Sequence, residues 1–330
     1  MLIRTFKKNT PATPVLLFVA GLLLWLDGFL FFRSLTPEVN HSEPLFRLLF
    51  SLVDGNPLLN ISLAFLLLLV QAFIVNYIVQ ANNLLAKTSW LPGFIYMVLM
   101  SSDPAMLSLN PVLAANLFLL FALARAMSAY GEGEVMREVF NVGFLIALAG
   151  LFYYPALAFF LWLIIVLAVY FLLSLRGLIA ALLGFFTPFF FLFTWYYLTD
   201  QHLERIQDLS KLGTPLEITA QSYSLFSIIM MMFLALLSFI ALTRLMVLYI
   251  SDKPVRIRKR FRVLMLFFVF SLASTFVGNV HFDVHHSLMM IPLSVAFAVL
   301  FFEIRRKWVS ELVFYLLLAL VIAGKVIELV

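Results

Sequence analysis

PLLNISLAFLLLLVQAFIVNYIVQ, residues 57–80, runs for 24 positions without a charged side chain. As a helix it would extend about 36 Å, enough to cross a hydrocarbon core of about 30 Å. Its polar residues, Asn60, Gln71, Asn76 and Gln80, are uncharged. The rest of the chain is of the same kind. Of its 330 residues, 64% are hydrophobic and 12% are charged, about half the charge of an ordinary soluble domain. Working outward from 57–80, the sequence predicts one all-α transmembrane domain over 1–330. Eleven segments are expected, at 14–32, 57–80, 89–102, 107–126, 139–152, 155–174, 177–198, 223–250, 263–279, 285–302 and 310–328. The third and fifth are short and end at the breaks SSDP (101–104) and FYYP (152–155). Irregular backbone at membrane depth needs protein or water around it, because lipid cannot satisfy free peptide groups. The basic start MLIRTFKKNT leads into the first apolar run without a small-residue cleavage site, so that run is read as a retained span.

Lysine and arginine set the direction. With the N-terminus inside, seventeen of the 22 cations fall on inner loops or inner helix ends. Arg33, Arg47, Arg205, Lys211 and Lys325 remain outside, and so does the C-terminus. The formal charge of +5 is therefore a topology signal and not a nucleic-acid one. The run KPVRIRKRFR (253–262), within a basic cytoplasmic loop at 251–262, is read as an anchor on anionic membrane lipids or as a docking surface for a protein partner. There are no cysteines, which excludes disulfides, thiol catalysis and thiolate metal sites. The phosphate-binding glycine loop, the dinucleotide fingerprint and the His-Glu-x-x-His metalloprotease motif are all missing from the sequence.

On this topology the chemistry gathers outside. All five histidines lie there, with most of the acids, in two loops at 33–56 and 199–222 and in short turns. PLFRLLFSLV (44–53) has the spacing of a helix lying in the interface. Asp27 stands inside the first span, where a carboxylate is a functional candidate or the partner of a cation such as Arg33. Glu38, His41 and Glu43 cluster in PEVNHSEP, as a solvated loop or as a general base or cation ligand. Asp103 precedes Pro104, the pattern of a helix N-cap, and a helix start also receives phosphate. GNVHFDVHH (278–286) sets His281, Asp283, His285 and His286 at the start of the tenth segment. Three readings stay open for it: interfacial hydrogen bonding, contact with a lipid phosphate, or a divalent metal held chiefly by His281 and Asp283.

The order of elements resembles the GT-C superfamily of membrane glycosyltransferases. The resemblance is carried by the acidic first outer loop with its interfacial helix, the outer turn SSDPAMLSLNP, the paired segments around FYYP, RGLIAALLGFFTPFFFLFTWYY, and HHSLMMIPLSVAFAVLFF. It implies sugar transfer from a polyprenyl-phosphate carrier on the extracytoplasmic face of a bacterial inner membrane. It maps the catalytic acid onto Glu43 or Glu38, the second-loop acid onto Asp103, and the carrier-phosphate contact onto His285 and His286. Arg47 would assist at the phosphate. The first loop lacks a paired Asp-Asp or Asp-Glu, and histidines stand where that superfamily commonly has a stronger cation. The phenylalanine-rich sequence also resembles an uncharacterised membrane protein family of Bacteroidetes-type bacteria. A non-catalytic subunit of a larger membrane complex, and a transporter or flippase for a lipid-linked substrate, are the competing classes.

Overall fold

A ten-residue helix wholly enclosed by protein organises the molecule. In the computed structural model, which describes residues 2–31, 43–53, 55–129, 135–200, 225–250, 253–276, 282–304 and 306–327, every regular element is a helix. In chain order these are α1 (Leu2–Phe6), α2 (Thr13–Leu24), α3 (Leu26–Phe31), α4 (Pro44–Ser51), α5 (Pro57–Ala81), α6 (Leu91–Met100), α7 (Pro111–Ser128) and α8 (Val135–Phe152). They continue with α9 (Phe159–Val169), α10 (Leu175–Leu198), α11 (Leu225–Ile250), α12 (Val255–Ala273), α13 (Phe282–His285), α14 (Ser287–Glu303) and α15 (Lys307–Ile327). Short 3-10 turns occur at Pro104–Leu107, Tyr154–Ala158 and Ser274–Phe276.

Among the described residues, six stretches are long and apolar enough to cross a membrane: α5, α7, α8, α10, Met230–Val247 of α11 and Trp308–Lys325 of α15. Shorter apolar helices lie at Thr13–Leu24, Leu91–Met100, Tyr154–Val169 and Ser287–Glu303. A helix meets each of the eleven expected segments, with three differences. The expected fifth segment is not short: α8 begins at Val135 and has 18 residues. The first expected span is interrupted at Trp25, between α2 and α3. The basic run is not a loop: from Val255 onward it forms the first turns of α12.

All ten residues of α6 are buried. Its short length is tolerated because protein groups take its free helix-start donors, which lipid could not do. Trp90 N donates to the Phe6 carbonyl (3.0 Å), Leu91 N to Ser89 Oγ (3.1 Å) and Gly93 N to Asn76 Oδ1 (2.9 Å). Helix α1 closes this end, with Phe6 stacked on Phe94 at 3.8 Å. At mid-depth the Tyr96 hydroxyl donates to Gln71 Oε1 (2.6 Å), and Gln71 Nε2 donates to the Leu113 carbonyl (2.7 Å). Polar residues of the opening stretch thus bind α5 to α6 and α7. Close helix approach does similar work elsewhere. A Cβ on Gly184 would lie 2.1 Å from the Phe140 carbonyl, and one on Gly143 would lie 2.5 Å from that of Ala181. Small residues at a crossing let α8 and α10 pack backbone to backbone, which is how helices associate where both faces are apolar.

Candidate functional site

Cross-helix hydrogen bonds sort the polar residues to the two ends of the bundle. At the basic end, Lys7 Nζ donates to the Phe301 carbonyl (2.8 Å) and Arg260 to that of Asn82 (3.0 Å). Arg125 and Arg137 flank the buried Glu138 at 3.6 and 3.5 Å. At the opposite, polar end, Leu109 N donates to Asn60 Oδ1 (2.8 Å), which ties the turn after α6 to the first turn of α5. Asn116 Nδ2 reaches the Ser287 carbonyl and hydroxyl at 3.4 Å, drawing the start of α14 to α7. Trp25 Nε1 donates to Ser101 Oγ (3.0 Å).

Within this end, one imidazole sits in a closed network. His285 ends the one-turn helix α13, ahead of the apolar helix α14, and is 2% exposed. Its Nδ1 lies 2.6 Å from the Tyr153 hydroxyl; its Nε2 lies 3.0 Å from Thr275 Oγ1 and 3.3 Å from Ser274 Oγ. Ser274 gives its own proton to the Ser271 carbonyl (2.8 Å). It must therefore accept from His285, which places the ring proton on Nε2 and leaves Nδ1 to accept from Tyr153. Burial pushes the His285 imidazole down to about 4, so the ring is neutral near pH 7. With both nitrogens engaged by protein hydroxyls, His285 offers neither to an outside phosphate.

His286, one position on, is placed differently. Its side chain is 32% exposed, and Nε2 lies 4.0 Å from Asp103 Oδ2, whose side chain is 34% exposed. Asp103 does not cap α7: Asn110 does, accepting from Leu113 N at 2.7 Å with Pro111 following. Asp103 instead precedes the single 3-10 turn Pro104–Leu107. The structure therefore brings together two residues 183 positions apart in the sequence, and both open to the surface.

Among the described residues, which do not include Arg33, Asp27 pairs with Lys325 near the C-terminal end of α15, Nζ to Oδ1 at 3.0 Å. The same ammonium donates to the Leu24 carbonyl, at the interruption between α2 and α3. Glu43 is 1% exposed at the N-cap of α4, with no capping bond from its side chain. Arg47, on α4, is exposed. Helix α4 packs on α8, the helix that delivers Tyr153. Glu38, His41 and His281 lie outside the described residues, and Asp283 falls within α13. Among the described residues, no three His, Asp or Glu side chains gather as metal ligands would.

The pattern of apolar helices with a basic end and a histidine-bearing polar end extends over nearly the whole chain, and so does a family match. The chain belongs to the DUF6427 family. That is a family of unknown function, and its model matches residues 14–330. No curated protein and no solved structure matches the chain. In this DUF6427 protein, sequence reasoning missed Tyr153, Ser274, Thr275 and Lys325. Tyr153 carried a signal, since it stands at the FYYP break; the hydroxyls of STF carried none, because serine and threonine are ordinary in apolar helices.

Proposed function

We propose that this protein works at the outer face of a bacterial inner membrane, with its polar end outside and eleven segments in the bilayer. There it transfers a sugar from a polyprenyl-phosphate carrier. The observation that carries this reading is the Asp103–His286 pair, an open carboxylate and an open imidazole beside the start of α14. In the reaction, the acceptor hydroxyl attacks the anomeric carbon and loses its proton to the Asp103 carboxylate. The bond from that carbon to the phosphate oxygen breaks, and the carrier leaves as polyprenyl phosphate. An N–H of His286 stabilises the leaving phosphate. General base help of this kind is worth about 10² to 10⁴ in rate. Asp103 takes the role that the family resemblance gave first to Glu43, because Glu43 is too enclosed for an acceptor to reach. The GT-C likeness of the layout belongs to the same proposal.

The test uses undecaprenyl phosphate as probe with the purified protein. Native mass spectrometry should show the lipid retained by the parent and by Asp103→Asn, and weakened in His286→Ala. Turnover of a polyprenyl-phosphate-linked sugar should be lost in Asp103→Asn. Undiminished turnover in that variant would remove the catalytic role, and equal lipid retention by His286→Ala would remove the phosphate contact. The burial of Glu43 and the internal engagement of His285 favour a second reading, a non-catalytic membrane subunit. On that reading the parent binds the lipid and turns nothing over.

A further inference from the structure

At the basic end, far from Asp103 and His286, a cavity of about 650 Å³ opens where α11, α14 and α15 meet. Arg244, Glu303, Ile304, Arg306 and Val309 line it. Three of these side chains are charged. Arg244 stands six positions before the end of α11, roughly 9 Å of helix from that end. Its neighbours Phe239, Met246 and Val247 are 68%, 55% and 59% exposed, as on a lipid-facing surface. Arg244, Arg306 and Glu303 are all exposed, and none makes an ion pair or side-chain hydrogen bond with the described residues. Among the other cations at this end, Lys7 holds the Phe301 carbonyl and lies 5.0 Å over the Phe302 ring, and Lys259 lies 4.6 Å over that of Phe171. Charged side chains at the edge of an apolar helix bundle are costly unless they meet an opposite charge.

We infer that this crevice binds the headgroup of an ethanolamine-type phospholipid, with the phosphate between Arg244 and Arg306 and the ammonium against Glu303. Two guanidinium groups match the oxygens of a phosphate diester in number and geometry. The carboxylate decides the rest. It disfavours a headgroup that is only anionic and accepts hydrogen bonds from a primary ammonium, which a quaternary choline cannot donate. The exposed apolar faces of α11 and α15 give the acyl chains a bed beside the cavity. Because this site lies at the other end of the bundle, it stands or falls independently of sugar transfer.

The experiment takes the full-length protein in detergent and offers it phosphatidylethanolamine, phosphatidylglycerol and phosphatidylcholine in equal amounts. Lipid retained by the protein is read by native mass spectrometry. The ethanolamine lipid should be retained over the other two. The double variant Arg244→Gln/Arg306→Gln should retain it at least about tenfold less, the loss expected for one charge-assisted hydrogen bond. Arg137→Gln, a change at the same end but outside the cavity, should retain it like the parent. Glu303→Gln should move the preference toward phosphatidylglycerol, and this variant decides the question if the double variant does not fold. Equal retention of the three lipids by the parent would overturn the proposal, as would a folded double variant with parental retention or a Glu303→Gln variant with unchanged preference. Displacement of the lipid by millimolar inorganic phosphate would overturn the lipid assignment in favour of a soluble phosphate ligand.

Discussion

The two ends of the bundle handle charge in opposite ways. At the polar end several groups meet their partners at short range and away from water: Lys325 with Asp27 at 3.0 Å, Tyr153 with His285 at 2.6 Å, Trp25 with Ser101 at 3.0 Å. At the basic end the cations are many and open to water. Arg125 and Arg137, at 54% and 62% exposure, share Glu138 at 3.5 Å or more. Dry pairs act by geometry and resist salt, whereas exposed clusters act as a field that salt screens within about 10 Å.

The largest effect should come from cutting the ion pair between α3 and α15. Lys325→Met leaves Asp27 without its cation and should cost about 3–5 kcal/mol of stability, as for other broken buried pairs. Asp27→Asn added to it should restore much of the loss. Thermal unfolding in detergent checks this, and a cost under about 1 kcal/mol would place the pair in water. Acid should come next. The folded His285 titrates at about 4 against 6.5 for the ordinary imidazole, so the unfolded chain takes up the proton first. Stability is full above pH 6.5 and falls as the pH drops toward 4. His285→Gln should flatten that window in a melting series, and an equal slope in the variant would remove His285 as its source. Tyr153→Phe leaves His285 Nδ1 without its donor and should cost about 1–3 kcal/mol. Its retention of lipid phosphate should match the parent, since His285 faces inward. At the basic end, Lys259→Gln removes an exposed cation–π contact and should cost about 0.5–1 kcal/mol. High salt should shrink that difference further, and a salt-independent loss larger than that of Tyr153→Phe would invert the comparison.

Uncharged runs such as 57–80 made the helix positions legible, and the bias of lysine and arginine separated the two ends. Partner choice was not legible. Asp27 meets Lys325 across 298 positions and Tyr153 meets His285 across 132, distances at which local periodicity says nothing. His285 and His286 look equivalent in sequence, yet one is 2% exposed and the other presents a 32% exposed side chain. One step along a helix turns a side chain by about 100°, so neighbours face different surroundings. The N-cap expected at Asp103 fell at Asn110, where the same Asx-Pro pattern recurs seven residues on. The basic run 255–262 is helical because arginine and lysine are good helix formers once α12 is under way.

The ten residues of α6 reach only about 15 Å, half a hydrocarbon core. During synthesis such a segment has no stable place of its own in the bilayer. Its first N–H groups rest on Phe6, Ser89 and Asn76, so it becomes satisfied only when α1 and α5 are already beside it. Membrane insertion must therefore set α6 against protein and not leave it in lipid, and α14, made later, completes its burial. The segments that precede α6 thus act as an internal chaperone for it.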